Sequence, residues 1–153
     1  MTVADLVIEG VDWPTYQLAG GPASDFGRVL AEFVASWPPS AMQSVWSSLE
    51  NQVFAQDDIF TAAEPSISVL LAALIDERPQ HVRIAVLDLL FHLVQGASYR
   101  ADDLGKRCLQ NAAAGAWLLV GEALTGPQPV TDACREILAI AAPKYAQFTQ
   151  PNG

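Results

Sequence analysis

Residues 79–96 read PQHVRIAVLDLLFHLVQG, and the reading of this stretch decides the fold. Pro79 stands where a first helical turn tolerates a missing N–H. Val82, Ala85, Val86, Leu89, Leu90 and Leu93 recur at helical spacing, Arg83 and Asp88 interrupt the apolar run, and Gly96 is a natural residue for a helix end. Just upstream, residues 67–75 form a second apolar helix, separated only by Asp76-Glu77-Arg78. Two apolar helices joined by so short a turn make an antiparallel hairpin. One hairpin cannot bury both of its faces, so it needs neighbours of the same kind.

Outward from the hairpin, most of the chain also reads as helix. Ser24 caps a helix to about residue 37, with Phe26, Val29, Leu30, Phe33 and Val34 on one face. Pro38-Pro39 breaks it, and Ser40 caps a second helix with Met42, Val45, Trp46, Leu49 and Val53 on its inner stripe. Asp57-Asp58 put negative charge at the next helix start, where Pro65 kinks or restarts the helix. Asp102 begins a long helix to residue 124, ended by Gly126-Pro127, and Thr131 caps a last one stopped by Pro143. Residues 11–22, with Pro14, Gly20, Gly21 and Pro22, read as loop, and no run shows the alternation of a strand. The expected architecture is all-α with no sheet: a short α-solenoid of about three antiparallel pairs, residues 26–37 with 40–54, 59–75 with 80–95, and 103–124 with 131–142. It forms one domain over residues 1–153 with a frayed tail from about 147.

Composition agrees with a packed domain. Of 153 residues, 51% are hydrophobic and 16% charged, too apolar for disorder. No apolar run approaches the roughly 18 residues of a membrane span, and the N-terminus lacks the basic and apolar regions of a signal peptide, so a cytoplasmic location away from membranes is expected. Cys108 and Cys134 have no CxxC or histidine partners and read as small buried hydrophobes.

The net charge of −9 is unevenly placed. Up to Glu77 the chain carries eleven acids and a single base, Arg28; from Arg78 on it carries six acids and seven bases. An acidic half disfavours nucleic acid, whose phosphates need Lys and Arg; it either favours a basic protein partner through electrostatic steering or serves only to keep an apolar protein soluble.

The segment Gln80-His81-Val82-Arg83-Ile84-Ala85-Val86-Leu87 resembles the second helix of a HEAT repeat, in which a Val-Arg pair precedes Ala and Leu. A wider pattern covers residues 13–96. It comprises Trp13, Ala19-Gly20-Gly21-Pro22-Ala23, Trp46, Leu49, Gln52, Thr61-Ala62-Ala63, Pro65, Arg83 and Leu87-Asp88-Leu89-Leu90. It is similar to small HEAT-like proteins of uncharacterised function common in actinobacteria. The resemblance implies a HEAT-like fold and carries no catalytic motif. Asn51-Gln52 stands where that pattern usually has His-Gln.

Candidate chemistry is sparse. Asp88 and His92 are four residues apart on one helix, so the carboxylate could orient the imidazole, or the two form a plain helix-surface pair. His81 falls in a first turn and reads as solvated. Two histidines without HExxH make no zinc site, Gly20-Gly21 is no phosphate loop, and neither acidic cluster has calcium-loop spacing, so no metal or cofactor is expected. Trp46 and Trp117 read as core. Trp13 and Trp37, each beside a proline, either cover a core edge or anchor a partner. Arg83, Asp88 and Trp46 are assigned structural roles, Arg83 by reaching back to the turn that holds Asp76 and Glu77.

Two functions follow. The first is a non-catalytic protein-binding module, an adaptor or immunity-type protein, whose acidic face at Glu50, Asp57, Asp58 and Glu64, with Trp13 and Trp37, takes a basic partner. The acids surround a helix–helix turn with no base nearby, so their field is expected to be uncompensated. The second is a small helical enzyme of specialised metabolism with a pocket between helices.

Overall fold

The computed structural model describes residues 1–147; the tail expected to fray lies, from residue 148 on, outside the described residues. The helices are α1 (Val3–Glu9), α2 (Phe26–Val34), α3 (Met42–Ser47), α4 (Ala63–Ala73), α5 (Gln80–Ser98), α6 (Asp103–Ala114), α7 (Ala116–Thr125), α8 (Gln128–Ala141) and α9 (Pro143–Ala146). Short 3-10 turns at Trp13–Thr15 and Pro39–Ala41 precede two minimal antiparallel hairpins and α3 respectively: β1 (Gln17–Leu18) pairs β2 (Gly21–Pro22), and β3 (Phe54–Ala55) pairs β4 (Asp58–Ile59). The fold is mainly helical, as the patterning predicts. The expectation of no sheet is corrected by these two ladders.

The centre of the molecule is α5. Ten of its residues are buried, including Val82, Val86, Leu90 and Val94 on one side and Leu87, Leu89 and Leu93 on others, and its one wetter stripe runs through Asp88, His92 and Gln95. It packs against α2, α4, α6 and α8 and against both strands of the second hairpin. α2 touches α4 and α4 touches α6, with α1 packed on α2 and α4; α8, packed on α5, also holds α7 and α9 and touches α6. The helix runs past Gly96 to Ser98, so Gly96 is not an end residue. It is the point where β4 comes close: a Cβ there would lie 2.7 Å from Ile59 Cγ2.

Several local expectations change for identifiable reasons. Thr2 and Asp5 form a capping box, so the N-terminal segment is helical. The helix expected over residues 40–54 stops at Ser47. Ser47 and Ser48 hydroxyls donate back to the carbonyls of Gln43 and Val45, and Asn51, at φ 62°, turns the chain into the left-handed region. Asp57-Asp58 do not start a helix; they lie in the β3–β4 turn region, and α4 begins at Ala63. Pro65 is in the first turn of α4, where its missing N–H costs nothing. The helix expected from Asp102 is capped there, with Asp102 accepting from Gly105 N–H, but Gly115 divides it into α6 and α7. Thr131 does not cap α8, which begins at Gln128; its hydroxyl donates to Ala123 carbonyl.

The tryptophans are rearranged relative to expectation. Trp13 (6% exposed) and Trp37 (8%) lie inside, with their indole N–H groups donating to the carbonyls of Ile8 and Phe33. They cover core edges and offer no surface to a partner. Trp117 is 70% exposed rather than core, because it falls on the outer side of α7. Trp46 is half-buried, packed on Phe33 and Phe54. His81 is half-buried too: its Nε2–H donates to Trp37 carbonyl at 2.6 Å and its ring meets the indole edge-on.

Candidate functional site

The early end of α3 leaves a gap in the second layer. After α3 ends, the β3–β4 hairpin packs against α5, with Ile59 over Gly96. Between that hairpin and α5 opens a cleft of about 370 Å³ lined by Glu50, Asn51, Phe54, Gln56, Asp57, His92 and Gln95. Two lining residues, Asn51 (φ 62°) and Gln56 (φ 56°), hold left-handed backbone that side-chain-bearing residues adopt at a cost of about 1–2 kcal/mol.

His92 is positioned by aromatic packing and by one backbone bond. Its ring lies 5.2 Å from Phe54, 5.5 Å from Trp46 and 6.0 Å from Phe91, centroid to centroid. Its Nδ1 is 2.8 Å from the Asp88 carbonyl, which only accepts, so Nδ1 carries the hydrogen and Nε2 is the basic nitrogen. The Asp88 carboxylate stands 3.7 Å from Nδ1, outside hydrogen-bond reach. The i,i+4 spacing therefore brings the pair together through the main chain, and Asp88 stays exposed.

The four acids assigned to the partner face divide into two kinds. Asp58 is bridged by Arg100 at 2.7 Å and Glu64 by Arg107 at 2.5 Å. The expectation that no base lies near this acidic group is thereby corrected: the fold carries Arg100 and Arg107 in from the second half of the chain. Glu50 accepts from Trp46 Nε1–H at 3.1 Å, and Asp57 is exposed at the hairpin turn; among the described residues neither has an ion-pair partner. Arg100 also grips Asp102, whose carboxyl is held down to about 2 by that guanidinium first and by the Gly105 N–H second. Both the Arg100 and Arg107 guanidiniums are made harder to deprotonate by their carboxylate partners.

No family model, curated protein or solved structure matches this chain.

The remaining candidates are structural in their surroundings. Arg83 donates to the carbonyls of Leu74 (3.0 Å) and Asp76 (2.9 Å) in the preceding turn and to Glu122 of α7 (3.2 Å from Nε). Its backward reach is the expected one, but its acidic partner comes from α7 rather than from Asp76 or Glu77. Arg78, which the sequence places in the turn without a role, does similar work: it donates to the carbonyls of Ala73 and Val34 and meets Asp76, fastening α2 to the α4–α5 turn. Arg78 follows two acids at a tight turn, which was the available signal. Cys108 and Cys134 are buried, and burial pushes both thiols up to about 12, the range of unreactive cysteines. Among the described residues no group of three or more His, Cys, Asp and Glu is placed to hold a metal, and no helix is long and apolar enough to cross a membrane.

Proposed function

We propose that the chain is a protein-binding module that receives a basic side chain of a partner protein in the cleft beside His92. The observation that supports it is the division of the acids. Asp58 and Glu64 are neutralised within the fold, whereas Glu50 and Asp57, which line the cleft, have no base among the described residues. A guanidinium or ammonium group entering there would meet these carboxylates, the Nε2 acceptor of His92 and the ring of Phe54. The binding reading is better supported than the small helical enzyme, because the lining offers carboxylates, amides and one imidazole but no nucleophile for His92 to activate. The contacts of α4 with α5 and of α7 with α8, helices adjacent in sequence, also support the HEAT-like reading, in which stacked pairs present a groove to partners.

The test is a titration of isotopically labelled protein with N-acetyl-arginine amide, using N-acetyl-glutamine amide as the uncharged control. Saturable amide shifts confined to residues 50–57 and 92–95 are expected, weakening as salt rises. They should disappear in Glu50→Gln/Asp57→Asn. Arginine-induced shifts that ignore both substitutions, or no shifts at these residues, would overturn the proposal.

A further inference from the structure

Given that a basic side chain enters the cleft, as proposed above, we infer that a proton on His92 and the partner's cationic group are alternative occupants, so that His92 makes binding there depend on pH. The Asp88 carbonyl accepts from Nδ1–H at 2.8 Å whether the ring is neutral or charged, so a second proton goes to Nε2. That proton arrives without disturbing the packing. The ring stays held by the same backbone bond and by Phe54, Trp46 and Phe91. What changes is the lining. Neutral His92 gives the cleft a nitrogen that accepts from a guanidinium or ammonium group; the imidazolium puts a donor and a positive charge in the same place.

The charges around the ring decide the sign. From α5 itself, the Asp88 carboxylate stands 3.7 Å from Nδ1. Glu50 comes from the segment after α3 and Asp57 from the β3–β4 hairpin, with the neutral Asn51, Gln56 and Gln95 completing the polar lining. Trp46 and Phe54 bring ring surface. Arg100, a base that reaches the hairpin, is spent on Asp58 and Asp102 and does not line the cleft. A cation is therefore attracted by carboxylates until Nε2 is protonated, and is repelled by the ring after it. Imidazole changes charge between about pH 5 and 8, where Asp and Glu side chains ordinarily keep theirs. That window isolates His92 among the lining residues. Linkage makes the two effects one number: the factor by which the proton weakens the cation is the factor by which the cation weakens the proton.

The titration with N-acetyl-arginine amide, run at about pH 8 and again at about pH 5.5, tests this from either side of the imidazole range. Binding at residues 50–57 is expected to be about tenfold weaker at the lower pH. His92→Gln, which keeps an accepting oxygen but cannot gain charge, should bind equally at both. In the native protein, saturating arginine amide should lower the proton affinity of His92, followed through its own ring resonances, by the same factor. Equal native affinity at both pH values, an undiminished pH dependence in His92→Gln, or a His92 titration indifferent to the ligand would overturn this inference while leaving the cleft as a cation site. An absence of shifts at the higher pH would overturn both.

Discussion

Gly96 of α5 lies so close to Ile59 of β4 that one added methyl group would sit 2.7 Å from the Ile59 Cγ2. The second hairpin therefore rests on the bare backbone of the central helix, and the cleft beside His92 keeps its shape only while it does. Gly96→Ala should destabilise the protein by about 1–3 kcal/mol through overpacking. Gly121→Ala, on an open helix face, should stabilise it by about 1 kcal/mol. Chemical denaturation of both variants checks the contrast, and equal effects of the same sign would contradict the packing described.

Arg83 carries three attachments, and Glu122 closes on it in a half-buried setting. Replacing Arg83 with Met should cost about 2–4 kcal/mol, less than a fully buried pair, because both side chains keep some water contact. Pairing it with Glu122→Leu should recover part of that loss, since the stranded carboxylate goes with its partner. A double-mutant cycle in urea measures the recovery.

Acid should loosen the α5–α6 junction in a definable window. The folded Asp102 carboxyl titrates at about 2, below the ordinary value of 3.8. A depressed carboxyl stabilises the fold fully above its unfolded value, and the stabilisation fades as pH falls toward 2. Asp102→Asn, which keeps an N-capping oxygen, should flatten this part of the stability–pH curve. Urea midpoints taken from neutral to acid pH would show an unchanged slope if Arg100 did not hold Asp102.

Both thiols should be silent in the folded protein. Cys108 and Cys134 are buried and pushed up to about 12, so a thiolate-directed reagent at mildly alkaline pH should label neither until the chain opens. The labelling rate, followed by mass spectrometry, should rise with denaturant in step with unfolding. Rapid labelling in native buffer would contradict the burial.

The legible parts of this fold are those that repeat. The apolar spacing from Val82 to Leu93, the amphipathic stripe of α2 and the Asp102 cap each recur within one or two helical turns, and all three are present. The hairpins were not legible, because two-residue strands are too short to show alternation. The division of one long apolar stretch at Gly115 leaves no local mark either, since apolar residues continue on both sides of it. At the candidate site, the Asp88–His92 spacing and the local crowding of acids could be read from the chain. The assignment of Arg100 to Asp58 and Arg107 to Glu64 could not, because those pairs span more than forty residues and exist only once α4, α5 and α6 have packed.

Those long-range bridges set an order on biosynthesis. When residue 77 has left the ribosome, the nascent chain holds eleven acids and one base. Asp58 waits for Arg100, Glu64 for Arg107, and the face of α5 opposite α4 for α8. The early half is thus strongly acidic until its counter-charges emerge, although the contacts among α1, α2 and α4 lie wholly within it. The charge balance of the fold is therefore completed from its second half: Arg100 and Arg107 reach back more than forty residues to offset two of the eleven acids of the first.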